Sequence, residues 1–164
     1  MNLFILDTDP YKAASLVCDQ HCVSQTNETW QMLSWTVKDR VPNPVMGSFS
    51  YFLTHGHHPC TKWVNENQSN YEWASMHLDG LLLEYDKRFP GNYFNWKSHR
   101  LFIMYCYHYK QFLPEGSLTP FVQCMPEEYR RPDPVEAYWL FYNNEKRFAR
   151  WNHSPTPDRW NYKI

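Results

Sequence analysis

The sequence lacks any excess of positive charge: sixteen Lys+Arg stand against seventeen Asp+Glu, a formal net charge of −1. That balance excludes a generally basic nucleic-acid coat and leaves room only for a local basic strip. No apolar run approaches the ~20 residues that a membrane span needs, so no membrane partner is expected. The opening Met1-Asn2-Leu3-Phe4-Ile5-Leu6-Asp7 has no basic n-region and meets Asp7 and Asp9 at once, which argues against a signal peptide. Cysteine is present only as an irregular set of five, too few and too uneven for a disulfide framework. A reduced, cytoplasmic compartment is the expectation. The pair Cys18-x-x-x-Cys22, with His21 between, has no second ligand pair at finger spacing. Both thiols read as buried side chains, and no metal or cofactor is expected. There is also no internal repeat of about 20–50 residues and no low-complexity segment.

What is abundant is aromatic: eight Trp, twelve Tyr and ten Phe make up 18% of 164 residues. Aliphatic side chains are scarce, so rings must supply much of a core that a domain of this size builds by burying roughly 70% of its unfolded surface. A chain that is 43% hydrophobic and 20% charged is too apolar to be disordered. Length favours a single domain spanning residues 1–164.

Helix starts stand out. Asp9-Pro10 places a capping acid before a proline at the first helical position. From there Ala13, Ala14, Leu16, Val17, His21, Val23, Thr26, Trp30 and Leu33 recur at three- and four-residue steps, predicting a long helix over about residues 10–35. The prolines and glycine of residues 41–48 end it, and Tyr51-Phe52-Leu53 fits a short strand or a helical turn. His57-His58-Pro59 opens a second long helix over about residues 59–88, which stops before Pro90-Gly91. Ser98 can cap a shorter helix that carries Leu101, Phe102, Tyr105 and Tyr109 toward Pro114. Residues 115–132 read as a surface connection. Asp133-Pro134 repeats the first start and predicts a last helix over about residues 134–150. The proline-rich tail from Trp151 should wrap the body without regular structure. The expected fold class is all-α, a compact bundle of long helices.

Several blocks are familiar. His58-Pro59-Cys60-Thr61-Lys62-Trp63, Asn70-Tyr71-Glu72-Trp73, Glu84-Tyr85 and Arg88 resemble a family of small phage proteins of unassigned function. Met125-Pro126-Glu127-Glu128-Tyr129, Asp133 to Tyr138, Glu145-Lys146 and Ala149-Arg150-Trp151 fit the same family. A more distant similarity is to the phage pyrimidine-dimer DNA glycosylases of the endonuclease V type. These are compact all-α proteins with an Asp-Gln-His segment in the first helix and a catalytic glutamate nine residues after its Asp. Here Asp19-Gln20-His21 is followed at that spacing by Glu28. The resemblance implies a flipped nucleotide, an amine that attacks the sugar C1′ to form a Schiff base, and Glu28 as the assisting carboxylate. It further implies arginines one residue before and three residues after the glutamate, but Asn27 and Gln31 occupy those positions. Positive charge has gone from the block and uncharged hydrogen-bonding groups remain.

That combination suits a small nucleotide better than a long polyanion. The expected site lies between the two long helices, with His21, Asn27, Glu28 and Gln31 on one side. Lys62, Trp63, Asn67, Asn70, Tyr71 and Arg88 come from the other, with His57 and His58 near the amides that open the second helix. Lys62 and Arg88 are the phosphate candidates, with a solvated helix face as the alternative reading. Trp63 or Tyr71 would stack on the base. His21 is equally readable as a satisfied core histidine. Two functions follow. One is a non-enzymatic phage protein that sequesters a small nucleotide, such as a host immune signal of the cyclic-dinucleotide or ADP-ribose type, and so serves immune evasion. The other is a DNA glycosylase or abasic-site lyase. Duplex affinity is expected to be weak in either case, and a homo-oligomer is compatible with the sequence.

Overall fold

A computed structural model describes residues 2–42, 54–91 and 97–161 of the chain. Every regular element among them is helical. In chain order these are α1 (Pro10–Leu16), α2 (Asp19–Arg40), α3 (Pro59–Val64), α4 (Gln68–Arg88), α5 (Lys97–Tyr109) and α6 (Pro134–Glu145), with 3-10 turns at Lys110–Phe112 and Glu127–Tyr129. No helix among the described residues is long and apolar enough to cross a membrane. The expectations for residues 43–53 and for Ser98 as a cap fall outside the described residues and side chains.

The predicted starts are built as local chemistry requires. Asp9 accepts the Lys12 amide at 2.8 Å, His58 Nδ1 accepts that of Cys60 at 3.2 Å, and Asp133 accepts that of Val135 at 2.8 Å. Each takes up one of the donors that a helix start leaves unpaired, and proline follows each where no amide is needed. The long spans are nevertheless divided. The 10–35 helix breaks at Val17-Cys18, where both residues are extended. There the Arg88 guanidinium takes the carbonyls of Ser15 and Val17, each at 2.7 Å, while the Cys18 amide donates to the Tyr142 hydroxyl at 3.0 Å. The 59–88 helix breaks between Val64 and Gln68. The Asn65 amide group bonds Met32 O at 3.0 Å and Thr61 O at 2.6 Å, and Asn67 then caps α4 through the Asn70 amide at 3.0 Å. The last helix ends at Glu145, five residues early, where Lys146 leaves helical geometry.

α4 is the spine of the fold: it packs along α1 and α2, with α5 against it. The segment Leu3–Leu6 is fully buried without being helical, and Leu6 O accepts from the Trp139 indole at 2.9 Å. Rings fill the core as the composition demands, among them Trp30, Tyr71, Trp73, Phe102, Tyr138, Trp139 and Tyr142. Cys18 and Cys22 are buried free thiols within it. The tail is irregular from Trp151 to Asn161 and folds back, with the Trp151 indole donating to Leu16 O at 3.1 Å and packing on Trp160. Two buried hydroxyls of α2 are satisfied by the preceding turn: Thr26 donates to Cys22 O and Ser34 to Trp30 O.

Candidate functional site

A cavity of about 300 Å³ opens where the N-terminal segment, α2 and the end of α6 meet. Asn2 and Phe4 come from the first, His21, Ser24, Gln25 and Glu28 from one face of the second, and Phe141 and Lys146 from the third. The α2 residues share a face because they are spaced at three and four positions, so one turn after another presents them to the same side.

Glu28 is fixed from two directions. Its Oε2 accepts the main-chain N–H of Asn2 at 2.8 Å and the Gln25 side-chain amide at 3.0 Å. Gln25 is 1% exposed, and its Oε1 is enclosed without a hydrogen-bond partner. A buried polar atom of this kind costs stability unless water or a ligand satisfies it.

His21 stacks on Phe4 with ring centres 4.5 Å apart, and Phe148 meets its edge at 5.3 Å. Burial, reinforced by the charge of Lys146, pushes its pKa down to about 4, so the ring is neutral at physiological pH. The Tyr142 hydroxyl accepts from the Cys18 amide and lies 2.5 Å from His21 Nδ1. With the hydroxyl hydrogen directed at Nδ1, the neutral ring carries its proton on Nε2. Lys146 lies over Phe141 at 4.6 Å and over Phe4 at 5.5 Å. Burial lowers its pKa from the ordinary lysine value and outweighs the opposing pull of Glu145 and Glu28. The next residues carry exposed Arg147, half-exposed Phe148 and exposed Arg150, a short basic and aromatic strip beside the cavity.

The two-helix pocket expected from the sequence is not what the structure builds. Of its residues, only His21 and Glu28 line this cavity. Asn27 and Gln31 are half-buried on α2 away from the wall. Arg88 is 2% exposed and is spent on two carbonyls, Glu84 and Asp19, so it has no free edge for a phosphate. Asn70 is fully buried and ties Trp63 O, Thr119 Oγ1 and the Thr119 amide together. Asn67 caps α4, Tyr71 is wholly inside the core, and Trp63 is packed against Trp73 and Phe121. Lys62 is exposed on the rim of a separate surface depression beside Trp35 and Glu66, and His57 is exposed. His58 is occupied as the α3 cap.

Sequence reasoning missed Gln25 and Ser24, although both sit one turn from His21 or Glu28 and that spacing was available. It also passed over Lys146-Arg147-Phe148-x-Arg150, whose interleaved cations and ring carried a signal. Nothing local announced Asn2, Phe4 or Phe141, which reach the cavity only through the tertiary fold. No family model, curated protein or solved structure matches the chain.

Proposed function

We propose that the cavity at Glu28 receives the sugar of a damaged nucleotide and that the protein is an abasic-site lyase on an endonuclease V-like scaffold. The observation that carries the reading is a carboxylate, clamped by the Asn2 main chain at 2.8 Å, sharing one small cavity with an amine of lowered pKa. The block that resembles the glycosylases supports it, because His21 and Glu28 of that block both line this cavity, and Lys146 joins them from the end of α6. The arginines missing at Asn27 and Gln31 are offset in part by Arg147 and Arg150 on the strip beside the cavity.

The chemistry follows from these groups. A neutral Lys146 Nζ attacks C1′ of the ring-opened abasic aldehyde, and the carbinolamine loses water to give an iminium ion. Glu28 takes a proton from C2′, the electron pair moves toward C3′, and the 3′-phosphate leaves by β-elimination. Water then hydrolyses the imine and frees the lysine. Phe4 and Phe141 keep the amine partly desolvated, which raises its neutral fraction. With a net charge of −1 the protein makes few phosphate contacts, so duplex affinity stays weak and only shallowly salt-dependent.

The uncharged polar wall of Asn2, His21, Ser24 and Gln25 favours a second reading, capture of a small nucleotide without turnover, since such donors and acceptors can read a base edge. Borohydride trapping on a single-stranded oligonucleotide with one abasic site separates the two. The lyase reading expects a covalent adduct in the wild type, its loss in Lys146→Ala, and an adduct without strand scission in Glu28→Gln. An adduct that persists in Lys146→Ala moves the nucleophile to another amine. No adduct at all, with nucleotide ligands recovered intact by mass spectrometry, replaces the lyase with the capture protein.

A further inference from the structure

Behind the wall that carries Asn2 lies a second cluster that the Glu28 chemistry does not use. Cys60 Sγ and Cys124 Sγ are 3.4 Å apart, and an imidazole nitrogen of His58 joins them, all three ligand atoms lying within 4.8 Å of one another. Cys60 is buried; His58 and Cys124 are half-buried, so an ion has a way in. We propose that His58, Cys60 and Cys124 form a three-ligand site for zinc.

The donor set selects the metal. Two thiols and an imidazole suit zinc, whereas magnesium and calcium require oxygen donors. Zinc–sulfur bonds of ~2.3 Å in a tetrahedral site set the sulfurs about 3.8 Å apart, so this pair need open by only a few tenths of an ångström. The ring of His58 stands beside the sulfurs at the start of α3, and zinc binding exchanges the contact from the Cys60 amide to Nδ1 for a metal bond, since a ligating imidazole has that nitrogen either on the metal or protonated. Three protein ligands leave a fourth position for water or another donor. Asn2 Oδ1, 3.5 Å from Cys60 Sγ, is the polar group at hand.

The site is stitched into the wall of the neighbouring cavity. The Asn2 side-chain amide donates to Cys124 O at 3.2 Å, Tyr138 donates to Asn2 Oδ1 at 3.0 Å, and the Asn2 main chain holds Glu28. Zinc therefore fastens the start of α3 to the connection before α6, and the hydrogen bonds of Asn2 tie the N-terminal segment to that junction. This inference stands independently of the lyase reading. The sequence concealed it because Cys124 lies far along the chain from the His58-Pro59-Cys60 pair.

Cobalt titration of the reduced, chelator-stripped full-length protein tests it, with zinc as competitor and binding read by the thiolate-to-cobalt charge-transfer absorption. The expected result is saturation at a single equivalent, displacement by zinc, and a rise in melting temperature with either metal. Cys60→Ser and Cys124→Ser should abolish the absorption, while Cys106→Ser, which alters a buried thiol on α5, should retain it. His58→Asn keeps a capping side chain and should weaken cobalt binding by more than about tenfold. Absence of the absorption in the wild type overturns the proposal, as does its survival in both Cys60→Ser and Cys124→Ser.

Discussion

Arg88→Ala should destabilise the fold rather than merely empty a phosphate site, and the size of the effect can be worked out from its partners. The side chain is wholly buried and makes four polar contacts: Nε to Glu84 at 2.9 Å, Nη1 to Val17 O at 2.7 Å, Nη2 to Ser15 O at 2.7 Å, and Nη1 to Asp19 at 3.4 Å. Asp19 in turn accepts the Asn152 and His153 amides, at 2.7 and 3.2 Å. One guanidinium therefore joins α4, the α1–α2 break and the tail. Removing one partner of a buried ion pair costs about 3–5 kcal/mol, because the other is left uncompensated. Orphaned carbonyls add to this at about 1–3 kcal/mol each, though not additively. A loss of about 4 kcal/mol lowers the folded-to-unfolded ratio roughly a thousandfold, against a total of about 5–15 kcal/mol for a domain. At a urea slope of about 2 kcal/mol per molar, the midpoint should fall by about 2 M. Arg88→Lys keeps the charge but not the fork and should lie between the two. Urea unfolding followed by tryptophan fluorescence and circular dichroism reads this directly. If Arg88→Ala leaves the midpoint unchanged and loses only nucleotide binding, the guanidinium is a ligand contact and the structural account of it is wrong.

Acidification should destabilise the protein through two buried histidines. Burial lowers His21 to about 4 and His77 to about 3, while an unfolded histidine titrates near 6.5. Because the folded pKa values are depressed, the unfolded chain binds more protons between these limits. Stability is complete above about pH 6.5 and falls below it by up to ~2.7 kcal/mol per pH unit while both contribute. Urea midpoints at pH 7.5 and 5 measure this, and His77→Phe, which can keep the stack on Trp73, should roughly halve the slope. A flat profile refutes the burial of both rings in neutral form. Gly80→Ala should lower the melting temperature although alanine is the better helix former, since its Cβ would stand 2.9 Å from Ala14 Cβ and 3.2 Å from Tyr11 Cα. Overpacking of about 1–3 kcal/mol exceeds the propensity gain of about 1 kcal/mol; a rise in melting temperature would mean that α1 does not lie on α4 at this closeness. Tyr142→Phe should cost about 1–3 kcal/mol, because the buried Cys18 amide loses its acceptor, and an unchanged denaturation midpoint would contradict that bond.

The sequence by itself determined the all-helical class and where helices begin. Asp9-Pro10, His58-Pro59 and Asp133-Pro134 each announce a start because a cap needs only a side-chain acceptor and amides two or three residues on. The common face of His21 and Glu28 was legible for the same reason: seven residues make two helical turns. Periodicity cannot reveal where a helix stops for the sake of a distant partner. α1 ends at Leu16 because Arg88 and Tyr142, far along the chain, take the backbone groups that helix continuation would have used. Nor does a helix pattern distinguish an arginine that faces a ligand from one that clamps buried carbonyls, or an asparagine that reads a base from Asn70, which ties a loop to a helix. Both kinds occupy the same spacing, and only packing decides which polar groups meet water and which meet each other. The tertiary structure alone brought Lys146 to Glu28 and Cys124 to Cys60, because those contacts are made between segments whose local chemistry is indifferent to one another until the aromatic core draws them together.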